Sequence, residues 1–311
     1  MQNNKGGVIF ILLDGCRLDA AAENMGYVEH LIEQGKGAKL LVYSQLPSSS
    51  RPLYETLFTG LPAWKHGIVN NRTARVSRCE NVFSLCRKNG LSTAAAAYHW
   101  ISELYVKAPF GPEDRIQLED SCGVEAGAVR HGGAHECGCG VEVDAVKDGG
   151  ALKGGKAIQK GIYYFEDSYP DSLVFLDGQH LLKGRPDFLL LHTMNIDDAG
   201  HRFGGESLEY HQAVMKADIL ISQFMSGWLS AGYQVVITAD HGMTGLGLHN
   251  GNTGKQREVP LYLISPKVKP GDFSGQRVDQ LFVAPLLCRL LSIEPGSDMI
   301  PLERMEVKLF E

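Results

Sequence analysis

Short apolar runs separated by helix-forming stretches constrain this chain more than any other feature. The runs are Gly7–Leu13, Ala38–Val42, Ser92–Ala97, Asp187–His192, Gln234–Ala239 and Val259–Ile264. Runs that are apolar at consecutive positions, rather than at alternate ones, read as strands buried on both faces. The clearest intervening helix runs from Ser207 to Ala231. There Tyr210, Val214, Ala217, Ile221, Phe224 and Trp228 recur at steps of four and three, and Gly232 follows as a C-cap. Strands alternating with helices predict an α/β fold, a mostly parallel central sheet with helices on both faces. In such sheets functional groups gather just beyond the carboxyl ends of the strands. Asp14, Asp197 and Asp240 all stand near such ends.

With 311 residues the chain is long enough for one large core, and we read residues 1–311 as a single catalytic domain. One segment departs from the pattern. Between Cys122 and Gly155 there are ten glycines and three of the seven cysteines, and no aromatic occurs between Gly111 and Ile162. Such composition supplies little core, so 111–160 is expected to be an irregular Gly/Cys-rich insertion, within a small cap around 100–185. Its His131, His135, Cys137 and Cys139 have a spacing that matches no common structural zinc site.

A net charge of −6 argues against a general nucleic-acid binder, so an anionic substrate must be held by local cations. The apolar run Val8–Leu13 is too short for a signal peptide and runs straight into Asp14. No stretch approaches the roughly 18–20 apolar residues that cross a bilayer, so no membrane partner is expected. Seven scattered cysteines without an export signal fit reduced thiols in a cytoplasmic protein.

Four segments carry chemistry together. They are Asp14-Gly15 after the first strand; Ser48-Ser49-Ser50-Arg51-Pro52 with Thr59-Gly60, His66-Gly67-Ile68 and Asn71; Asp197-Asp198-Ala199-Gly200-His201; and Asp240-His241-Gly242 with His249. They provide the carboxylates Asp14, Asp197, Asp198 and Asp240, the imidazoles His201, His241 and His249, and a serine hydroxyl. That donor set suffices for two divalent ions sharing a nucleophile, and metal coordination is one way to activate a serine.

In this order the motifs resemble the alkaline phosphatase superfamily, and most closely its type I phosphodiesterase/nucleotide pyrophosphatase branch. The resemblance runs from Val8 to about Pro295, leaves 111–160 unmatched, and takes in Val278–Pro285, which is similar to the family's last helix. It implies an alkaline phosphatase-like fold and a metal-dependent hydrolase that cleaves a phosphodiester or small anionic phosphoester through a phospho-serine intermediate. By position Ser50 takes the nucleophile place, two residues before Pro52 and nine before Thr59. One ion falls to Asp14, Ser50, Asp240 and His241, the other to Asp197, His201 and His249. The ions would be zinc, with manganese as the alternative. Asn71 stands where the family places a donor to a non-bridging phosphoryl oxygen.

Position 51 departs from the pattern. Nucleotide pyrophosphatases carry an aromatic there that stacks on the base, whereas this chain has Arg51. The sequence therefore suggests that Arg51 binds an extra anionic group on a small phosphoester or phosphonate, and speaks against a nucleotide. Carbon–phosphorus cleavage, as in phosphonoacetate hydrolases, is the alternative. A sulfatase is disfavoured because Tyr54 stands where its motif needs arginine. Mutases of the superfamily carry a large inserted domain, and alkaline phosphatase proper needs a third metal site for which no ligands are evident. A non-catalytic relative that only binds metal is disfavoured by the complete ligand set. Asp198 is expected either to support the metal ligands from behind Asp197 or to stand in solvent, and His66 to be a turn or packing residue. His30, His99, His180, His192 and His211 receive no role.

Overall fold

A computed structural model describes residues 6–118 and 156–310. Nine strands form one sheet: β1 Val8–Leu13, β2 Ala38–Tyr43, β3 Thr93–Tyr98, β4 Ile116–Leu118, β5 Lys160–Tyr164, β6 Phe188–Thr193, β7 Gln234–Thr238, β8 Glu258–Ile264 and β9 Gly271–Asp279. Their order across the sheet is β4-β5-β3-β6-β1-β7-β8-β2-β9. From β5 to β7 every neighbouring pair is parallel. The antiparallel pairings involve β4 at one edge and β8 between β7 and β2. The fold is thus α/β with a mostly parallel sheet.

The apolar runs become the sheet centre for the reason that made them visible. All six residues of β1 are fully buried, as are the apolar positions of β6 and β7. β1 lies between β6 and β7 in register, Leu13 opposite Thr193 and Leu12 opposite Thr238. The three strands therefore end at the same level, and Asp14, the Asn195–Phe203 helix and Asp240 leave the sheet side by side. The long helix forms over Leu208–Ser230, capped by the Ser207 side chain accepting from Tyr210 N–H, and Gly232 beyond it takes a left-handed φ of 87°.

Two sequence expectations are corrected. Residues 112–118 are not irregular: they form a short 3₁₀ turn and β4, which pairs with β5 at the sheet edge. Val278 and Asp279 end strand β9, and the terminal helix begins only at Val283 and runs to Leu291. His131, His135, Cys137 and Cys139 lie outside the described residues. Among the described residues Cys16, Cys79, Cys86 and Cys288 are unbridged, and no helix is long and apolar enough to cross a membrane.

Candidate active site

The helix Ser50–Thr59 is buried along its whole length, and Ser50 is its first residue. Pro52 fits here because the first turn of a helix has no internal partner for its N–H groups. The three serines before it separate cleanly. Ser48 Oγ donates to Gln256 O at 3.0 Å and Ser49 Oγ to Asn71 Oδ1 at 2.9 Å. Ser50 Oγ instead lies 3.1 Å from His241 Nε2.

Around that imidazole the strand-end groups converge. Asp14 Oδ1 is 3.6 Å and Asp240 Oδ2 3.3 Å from His241 Nε2. Asp14, Asp240 and His241 form one set of donor atoms mutually within 4.8 Å, and Asp197, His241 and His249 form a second. His201 joins the second set from its outer side, with Nε2 3.3 Å from Asp197 Oδ2 and 3.1 Å from His249 Nε2. Asp198 turns away and pairs with Arg202. The His241 and His249 rings stack at 3.9 Å.

Gly15 makes this closeness possible. Its φ is +71°, its N–H donates to Asp240 Oδ1 at 3.2 Å, and a Cβ there would meet Asp197 Oδ1 at 2.8 Å. Buried Arg17 then ties the loops together, donating to Gly205 O and Glu206 Oε1, each at 2.8 Å, and to Met243 O at 3.4 Å.

Backbone carbonyls orient all three imidazoles. Nδ1 of His201, His241 and His249 lies 2.9, 3.0 and 3.0 Å from Gly247 O, Gly242 O and Ser48 O. A carbonyl only accepts, so each Nδ1 carries a hydrogen and each neutral ring offers its Nε2 lone pair. Nε2 of His201 and Nε2 of His249 lie 3.1 Å apart, a contact met without metal by a second proton on His201, which also faces Asp197, and met with metal by the cation that displaces that proton.

Asp14 Oδ1, Asp197 Oδ1 and Asp240 Oδ2 are buried without a hydrogen-bond partner among the described residues. Burial, reinforced by Asp240 and Asp197, holds the Asp14 carboxyl well above its ordinary range. Burial and Asp197 push Asp240 up to about 8. Burial drives His241 down to about 3, keeping it neutral. Burial also opposes ionisation of Asp197, but the bond from His201 and the neighbouring imidazoles outweigh it. His201 in turn is raised to about 9 by Asp197. Orphaned carboxylate oxygens and imidazole lone pairs converging on one point are a donor set that fits divalent cations such as zinc.

Asn71 is fixed by its oxygen. Its Oδ1 accepts from Arg51 N–H at 3.0 Å and from Ser49 Oγ, so the amide nitrogen faces the other way. The backbone N–H decides the orientation, since it cannot face an amide NH₂.

Arg51 is placed differently from the sequence expectation. Its guanidinium is buried, 2.6 Å from Glu103 Oε2, 4.7 Å above the Trp100 ring, and donates to Thr73 O at 3.2 Å. Its charge is already answered by Glu103, which removes the free cation that an anionic substrate group would need. Arg51→Leu should destabilise the fold by about 3–5 kcal/mol, the cost of leaving one member of a buried pair alone. It should slow anionic and neutral substrates to the same extent, which denaturant melts and parallel assays check. His66 is the packing residue expected, between Thr56 Oγ1 and Ile68 N–H. Tyr54 and His192, both beside Asp14, were not singled out from the sequence. The available signals were the one-turn spacing of Tyr54 from Ser50 and a histidine inside an otherwise apolar buried strand.

A family model for type I phosphodiesterase / nucleotide pyrophosphatase matches residues 8–253. The chain belongs to that family. Human GPI ethanolamine phosphate transferase 2, catalytic subunit, is 29% identical over 129 residues, covering 39% of this chain and 13% of that protein. The chain spans between 10% and 24% of the length of the curated relatives it matches. Human ectonucleotide pyrophosphatase / phosphodiesterase 5 shares the fold with a TM-score of 0.66 at 13% identity, over 97% of this chain and all of that one. A phosphonate monoester hydrolase from Silicibacter pomeroyi does so at 0.60 and 15% identity, over 96% of this chain and 76% of the other.

Proposed function

We propose that this chain is a metal-dependent phosphoester hydrolase in which Ser50 is the nucleophile. The observation that carries this is the position of Ser50 Oγ, alone of three adjacent serines, at the convergence of unpartnered carboxylate oxygens and imidazole Nε2 atoms. Asp14, Asp240 and His241 with Ser50 would hold one divalent cation, and Asp197, His201 and His249 the other. When bound, such ions neutralise the phosphoryl charge and lower the pKa of the serine hydroxyl.

The chain's own residues supply position. The buried helix fixes Ser50 Oγ for in-line approach. Its oxygen bonds to phosphorus as the bond from phosphorus to the ester oxygen breaks; the serine proton passes to water while the departing oxygen takes a proton from water, giving phospho-serine. Water then attacks that phosphorus, releasing the phosphorylated product and restoring the hydroxyl. Both displacements depend on alignment and charge stabilisation more than on a protein base. Asn71 Nδ2, set by the two donors on its Oδ1, is aimed to donate to a non-bridging oxygen as charge develops there. Asn71→Ala is expected to lower kcat by about 10²–10³-fold, as for loss of an oxyanion donor elsewhere. Steady-state kinetics on an aryl phosphodiester checks this.

The substrate class is a small phosphodiester or related anionic phosphoester, tested by screening monoesters, diesters and phosphonates with zinc or manganese present. The relatives named as ethanolamine phosphate transferases favour a second chemistry, in which an alcohol rather than water takes the phosphoryl group from Ser50. An acceptor alcohol that diverts product to a new diester would support transfer. Unchanged hydrolysis across alcohol acceptors would support the hydrolase.

A further inference from the structure

We propose that Tyr54 and His192 are positioning residues that aim the Asp14 carboxylate at a divalent cation, an inference that rests on Asp14 being a metal ligand. The Tyr54 hydroxyl donates to Asp14 Oδ2, and His192 Nε2 lies 3.2 Å from the same oxygen. When Asp14 is ionised, as it is when it binds a cation, His192 Nε2 must carry the ring hydrogen to face that oxygen, and Nδ1, which has no partner among the described residues, is the bare nitrogen. Both donors therefore converge on one oxygen. The other, Oδ1, is buried, has no hydrogen-bond partner among the described residues, and lies 3.6 Å from His241 Nε2. A carboxylate held through Oδ2 cannot rotate freely, and presents Oδ1 as a single preset donor.

Burial makes the arrangement consequential. Asp14 and Tyr54 are 0% exposed and His192 1%, so water does not replace a lost donor. Tyr54 and His192 brace each other edge to face, with ring centroids 4.8 Å apart at 75°. Tyr54 also lies four residues after Ser50, on the same face of the same helix. The Tyr54–Asp14 bond thus links the element that carries the nucleophile to a ligand on the central strand end. One contact therefore ties the direction of the carboxylate to the helix that begins at Ser50.

The experiment measures zinc affinity of the full-length chain by competition with a chromogenic chelator, without reference to turnover. Tyr54→Phe keeps the ring packing and removes only the donor. Its zinc affinity is expected to fall about 10–100-fold, the usual effect of losing a group that orients a ligand, while the metal-stripped variant melts cooperatively near the parent. His192→Phe, which keeps a ring and removes the other donor, is scored in the same way and decides the question if Tyr54→Phe does not fold. Affinities within about twofold of the parent would overturn the positioning role. A parent chain that binds no zinc or manganese would instead overturn the metal site itself.

Discussion

Ser50→Ala is expected to reduce turnover of an aryl phosphodiester by about 10³–10⁶-fold, the range seen when a nucleophile that acts with its partners is removed. The helix should survive the change. Among the described residues Ser50 Oγ makes its one hydrogen-bond contact with His241, and the cap position belongs to Ser49. Ser48→Ala and Ser49→Ala are informative controls, since their hydroxyls bond Gln256 O and Asn71 Oδ1. Ser48→Ala should leave most activity intact. Ser49→Ala removes one of the two donors that fix Asn71, so a smaller loss in kcat is expected. An active Ser50→Ala variant with an intact fold would contradict the assignment of the nucleophile.

Removal of metal is expected to have an effect of similar size on activity and a large one on stability. Without a cation, three buried carboxylate oxygens have no hydrogen-bond partner among the described residues, and the acidic groups Asp14, Asp197 and Asp240 stay packed together. Dialysis against a strong chelator should bring turnover to background, and zinc or manganese should restore it. A ligand at one hundred times its Kd stabilises the folded state by about 2.7 kcal/mol per site. For a chain of this size that raises Tm by about 4 °C for each occupied site. Calorimetry with and without metal measures the shift, and metal analysis of the reconstituted protein gives the number of ions. An unchanged Tm together with full activity after chelation would rule out a metal-dependent centre.

The sheet centre was legible in the sequence because strands buried on both faces are apolar at every position, as β1 and β6 are. The edges were not. β9 has mixed exposure along Gly271–Asp279 and offers no apolar run, and β4 is three residues long. That Asp14, Asp197, His201, Asp240, His241 and His249 would lie together was legible because chemistry-bearing residues followed strand ends in a recognisable order. What the sequence hides is what those groups touch. Arg51 looked like a free cation, yet helix packing brings Glu103 against it. His192 looked like a bystander, yet the register of β6 on β1 sets it beside Asp14. Contacts of that kind are made by tertiary packing, and no local pattern encodes them.

The most direct test of a serine-bound intermediate is the stereochemical course at phosphorus, read with a substrate made chiral there by oxygen isotopes or sulfur. Two in-line displacements, first by Ser50 and then by water, predict net retention of configuration. Net inversion would show that water attacks the substrate directly, and would contradict Ser50 as the nucleophile.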